Sequence, residues 1–136
     1  MFSTAVTSNA GNFIGVIGYT QKFSSELDRG DLYHISALFQ RCSGVLGAYA
    51  KYLPTDMMDI KKQYAVMSIT FMETAINALN KKGQNAETGN IKQVEKAVLK
   101  LVDLYYEQIE DEQISSGSIM QGDSALDMEV CMSQFK

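Results

Sequence analysis

Cys42, Cys131 and His34 are the side chains of this sequence best suited to nucleophilic, redox or metal chemistry, and no other Cys or His accompanies them. A thiol nucleophile needs a base within hydrogen-bond reach. His34 and Cys42 fall on one helical stretch, about 12 Å apart along its axis, so they do not make such a pair. A zinc site needs several His or Cys ligands, and a di-iron bundle needs paired Glu-x-x-His motifs. No Glu lies three residues before His34. Neither site assembles, and no metal, cofactor or catalytic residue is expected. The chain also lacks a P-loop, a G-x-G-x-x-G after a strand and a calcium loop. The expectation is a protein that is not an enzyme.

One constellation remains. In an antiparallel bundle Tyr49 and Tyr52 lie near the Pro54 end of one helix, Tyr64 lies near the start of the next, and Tyr105 and Glu107 return to the same half on a third. Tyrosines beside carboxylates between helices suit a small cationic or aromatic ligand. The plainer expectation is that the rings are buried and the hydroxyls reach the rim. Arg29-Gly30-Asp31 reads as a Gly turn followed by an N-cap. Glu73 falls on the arc of Asp59, Gln63, Thr70 and Asn77, which fits a solvated face or a subunit contact.

Helical elements must position these residues. Leu32, Ile35, Leu38, Phe39, Cys42, Val45, Leu46, Tyr49 and Tyr52 recur at three and four, the face of a helix that Asp31 caps and Pro54 stops. Its small residues, Ser43, Gly44, Gly47 and Ala48, suit close approach of another backbone. A second helix starts at Thr55 as cap and ends at Lys81, Lys82 and Gly83. It carries two adjacent apolar stripes, Met57-Ile60-Tyr64-Met67-Phe71-Ala75-Ala78 and Met58-Ala65-Ile69-Met72-Ile76-Leu79, and is expected to be central. Asn90 and Gln93 resemble a capping box for a third, whose last turns crowd Glu107, Glu110, Asp111 and Glu112 against the helix dipole. That end should fray or find a cation or a partner. Residues 1–12 read as a flexible arm, 13–27 as a short helix broken by Gly15 and Gly18, 113–123 as a loop and 124–135 as a short C-terminal helix. Short connections make consecutive helices antiparallel neighbours. The fold class is all-α: a single domain over residues 1–136, an antiparallel bundle of four to five helices with a long central helix.

Twelve Lys and Arg against sixteen Asp and Glu give a formal net charge of -4. An acidic chain gains no overall counter-ion release on a polyphosphate, so nucleic acid is an unlikely partner. No stretch approaches the ~20 apolar residues of a membrane span. Residues 1–21 carry no charge and lack the basic start of a secretory signal. Cys42 and Cys131 are too far apart in sequence for a CxxC motif. Two buried thiols would fit a reducing, cytoplasmic setting, and one long-range disulfide would fit an oxidising, exported or periplasmic one.

Arg41-Cys42-Ser43 in an early helix, with a late Asp127-x-x-x-Cys131, resembles a group of short, commonly exported helical proteins of marine bacteria and phages. The resemblance implies that Cys42 and Cys131 meet, and it implies no activity or ligand. The basic, strongly apolar leader of that group is missing here. From the wide apolar face of the second helix and the small-residue patch of the first, the expected role is a helical interaction module that pairs with another protein, most simply with itself as a homodimer. The alternative is the Tyr-rich ligand pocket.

Overall fold

A computed structural model describes residues 13–83, 85–118 and 121–134. Among the described residues there are six α-helices and no strand: α1 (Val16–Lys22), α2 (Ser24–Asp28), α3 (Leu32–Tyr52), α4 (Met58–Lys82), α5 (Glu87–Ser116) and α6 (Asp123–Gln134). The all-α bundle read from periodicity is therefore the fold. Six helices replace four to five because the chain breaks between α1 and α2 at Phe23, not at Gly15 or Gly18; Gly15 is instead the N-cap of α1. The arm at 1–12 and residue 135, the end of the expected C-terminal helix, lie outside the described residues.

The centre of the bundle is α3, which packs on α4, α5, α6, α1 and α2. Asp31 caps it as expected, its carboxylate accepting from the His34 N–H at 3.1 Å, and it ends just before Pro54. Its small residues face inward. A Cβ on Gly44 would lie 2.6 Å from Leu101 Cβ, so only glycine lets α5 come this close. Ser43 donates to the Ser68 carbonyl and Ser68 donates back to the Ser43 carbonyl, each at 2.7 Å, which stitches α3 to α4. Ser36 repeats the device on the Ala75 carbonyl at 2.8 Å. This small-residue patch therefore belongs to the interior and not to a partner surface, because α4 and α5 cover it.

The bundle has the long central helix that the sequence predicts, but it is α3 and not residues 55–82: α4 packs chiefly on α3 and more lightly on α5. Phe71, Ala75 and Ala78 of the first stripe of α4 and Leu79 of its second are buried, Met72 and Ile76 pack on the smaller cluster, and Met57, Met58, Ile60 and Ile69 are exposed. Thr55 does not cap α4 with its side chain; residues Thr55–Met57 form a 3-10 turn and the helix begins at Met58. Asn90 is not a cap either. Helix α5 starts one turn earlier, and Asn90 is buried inside it, donating to Asn80 of α4 at 2.9 Å. The loop expected at 113–123 shortens, since α5 continues to Ser116 before Gly117 turns left-handed at φ 79°. The main core gathers Leu38, Val45, Leu46, Tyr49, Phe71, Tyr105, Ile109 and Met128, and a smaller cluster of Ala75, Leu79, Val94 and Val98 fills the far end.

Candidate functional site

Cys42 and Cys131 are joined, with Cα atoms 5.6 Å apart across 89 residues of sequence. Helix α6 is thereby tied to the central helix. One turn before Cys131, Asp127 is buried on the same face of α6. Its carboxylate accepts from the Tyr105 hydroxyl at 2.6 Å and from the backbone N–H groups of Val16 and Ile17 at 3.1 and 3.0 Å. The Tyr105 oxygen also accepts from Val16 N–H at 3.0 Å. An acid on α6 and a phenol on α5 thus supply the cap that α1 lacks locally. Gly15 makes this approach possible, because a Cβ there would sit 2.2 Å from an Asp127 oxygen. Burial raises the Asp127 pKa against the lowering effect of its donors, and burial with the adjacent Asp127 charge raises that of Tyr105 well above the ordinary phenol value.

A second acid works in the same way. Glu112 is half-buried near the end of α5, and its carboxylate accepts from the N–H groups of Asp123 and Ser124 at the start of α6. Gln108 donates to the same carboxylate at 3.1 Å. The negative end of α5 therefore has its partner in the N-terminus of α6. Burial raises the Glu112 pKa, opposed by these hydrogen bonds.

The five residues of the Tyr-rich constellation are dispersed in depth. Tyr49 and Tyr105 are wholly buried in the core, and the Tyr105 hydroxyl is spent on Asp127. Tyr64 is half-buried against the same core. Tyr52 is at the rim, edge-on to Tyr106 and donating to Gln113. Glu107 is half-buried on α5. Burial raises the Tyr49 pKa beyond the usual phenol range. Periodicity did not single out Asp127 or Arg41 as structural centres. Each was legible as a charge on an apolar stripe, Asp127 four before Cys131 and Arg41 four before Val45.

On the outside of α4, exposed apolar side chains lie beside exposed Asp59, Gln63, Thr70 and Asn77. Val66 is 62% exposed, Ile69 52% and Met58 41%, flanked by half-buried Ala65, Met72 and Ile76. Lys62 and Glu73 stand at either end of the Val66–Ile69 pair, both exposed. Among the described residues the ion pairs are His34–Asp31 and Lys51–Asp103, so neither Lys62 nor Glu73 is engaged. Also among the described residues, no group of three His, Cys, Asp or Glu is placed to hold a metal ion, and no helix is long and apolar enough to cross a membrane. No family model, curated protein or solved structure matches the chain.

Proposed function

We propose that the protein is a non-enzymatic helical module that pairs with a second copy of itself through the outer face of α4. The observation that carries this reading is the symmetry of the stripe Lys62-x-x-x-Val66-x-x-Ile69-x-x-x-Glu73. These four side chains lie within about 60° of arc at 100° per residue. Lys62 is four residues before Val66, and Glu73 is four after Ile69. When two such helices pack antiparallel about a two-fold axis, Val66 meets the partner's Ile69 and Lys62 meets the partner's Glu73, twice over. The apolar centre excludes water and the charged ends set the register. The contact is small, so self-association on the order of micromolar fits it. The disulfide supports work in an oxidising compartment.

Sedimentation equilibrium over a wide concentration range tests the reading. The wild-type chain should give a monomer–dimer equilibrium. Lys62→Glu should weaken it, Glu73→Lys should weaken it, and the double exchange should restore most of the loss, because opposite charges face each other again. A monomer at every concentration, or a double variant no better than the singles, overturns it.

A further inference from the structure

A cleft of about 550 Å³ opens between the α1–α2 segment, α3 and α5, with Leu79 of α4 also in its lining but none of Lys62, Val66, Ile69 and Glu73. Phe13, Ile14, Phe23, Leu101 and Leu104 give it apolar walls, and its lining contains no carboxylate. In a chain of net charge -4, the permanently charged side chains in the described lining, Arg41 and Lys100, are cationic, and the nearby Asp31 carboxylate is bonded to His34. Arg41 lines it from the central helix, and Lys100 lines it from α5. His34 lines it too, paired with Asp31.

Arg41 is the decisive residue. Its Nε donates to the Ile14 carbonyl at 2.8 Å, and its Nη1 donates to the Ala37 carbonyl at 2.9 Å. The guanidinium lies 4.1 Å from the centroid of the Tyr19 ring. Two carbonyls and a ring hold it in place, yet no described carboxylate neutralises it. A half-buried guanidinium without a counter-ion is costly, and a carboxylate with a matching fork relieves that cost. Burial lowers the Arg41 pKa, in keeping with a desolvated cation. The cleft volume suits a ligand of modest size.

We infer that this cleft binds a small amphipathic anion, a monocarboxylate with an apolar or aromatic body, whose carboxylate meets Arg41 while its body lies on the Phe13–Phe23 and Leu101–Leu104 walls. Lys100 stands at the exposed edge and attracts the anion. The inference is independent of pairing through α4.

Amide chemical-shift titrations and calorimetry of the full chain test it, with decanoate and 2-naphthylacetate as probes and decanol and decylammonium as controls. The expected result is that at least one carboxylate binds, with shifts on α1–α2, α3 and α5, and that decanol and decylammonium bind at least tenfold more weakly. Arg41→Lys keeps the charge but loses the fork, and should weaken carboxylate binding about tenfold, the worth of a charge-assisted hydrogen bond, while leaving decanol unchanged. Because Arg41 also holds two carbonyls, Lys100→Glu provides an exposed second variant that should weaken the carboxylate several-fold with an unchanged melt. No binding of either carboxylate at millimolar concentration overturns the inference. So does equal binding of decanol, or a shift map centred on the outer face of α4.

Discussion

The junction of α1, α5 and α6 and the outer face of α4 treat polar and apolar groups in opposite ways. At the junction, polar groups are buried and satisfied: Asp127 takes three donors, and Glu112 takes the first N–H groups of α6. On α4, apolar side chains are left in water and the two charges at the ends have no ion-pair partner among the described residues. Burying a carboxylate is tolerated only with such donors. Exposing Val66 and Ile69 forfeits the ~1.5–3 kcal/mol that burying each one offers. The junction therefore bears on stability, and the α4 face bears on association. Substitutions should separate the two.

The largest expected effect is at the junction. Replacing both Cys42 and Cys131 by Ser removes a link across 89 residues. Chain entropy assigns that link about 4–5 kcal/mol, so the thermal midpoint should fall on the order of 15 °C. Wild-type protein melted with a reductant should match the double variant. Indistinguishable midpoints in the oxidised, reduced and substituted proteins would show that the other contacts of α6 close the junction alone.

Asp127→Asn comes next, at about 2 kcal/mol near neutral pH, since the amide puts an NH2 donor in place of one of the two oxygens that accept from Val16, Ile17 and Tyr105. Its pH dependence has a definite sign. Burial raises the folded-state pKa of Asp127 above its ordinary value. The folded chain then holds a proton that the unfolded chain releases, so this group's contribution is complete at and below the unfolded pKa of about 4. It is lost as pH rises through the folded pKa. The stability gap between wild type and Asp127→Asn, measured by urea unfolding, should widen as pH falls from 7 towards that range. A gap that narrows on acidification would mean that the three donors outweigh desolvation.

The sequence was most legible where a local rule acts without competition. Asp31, Pro54 and Gly83 mark helix ends because capping and chain-stopping need only neighbours in sequence. It was least legible where a distant residue intervenes. Thr55 and Asn90 look like caps, but a 3-10 turn takes the first, and Asn80 takes the second into the interior. The acidic end of α5 looked like a fault until α6 folded back on it. Periodicity also gave α4 two faces without saying which neighbour covers each. The smaller residues of α3, stitched by Ser36 and Ser43, claimed the centre. Cys42 and Cys131 are 89 residues apart, so no local rule decides between two free thiols and one bond, and the partners of Arg41, the Ile14 carbonyl and the Tyr19 ring, are likewise remote in sequence.

The smallest expected effect on stability is on α4. Ile69→Ser removes an apolar side chain that is already half in water, and such surface changes stay within about 0.5 kcal/mol. The unfolding midpoint of dilute, monomeric protein should hardly move. Association should respond differently, because under the antiparallel arrangement Ile69 enters the interface twice, and each lost contact counts in the same dimer. Dilute and concentrated melts of wild type and Ile69→Ser therefore separate the two roles. A midpoint that rises with concentration in wild type and not in the variant assigns this face to self-association. A variant that loses as much stability when dilute as Asp127→Asn does would mean that Ile69 supports the monomer, and the contrast between the closed junction and the open face would fail.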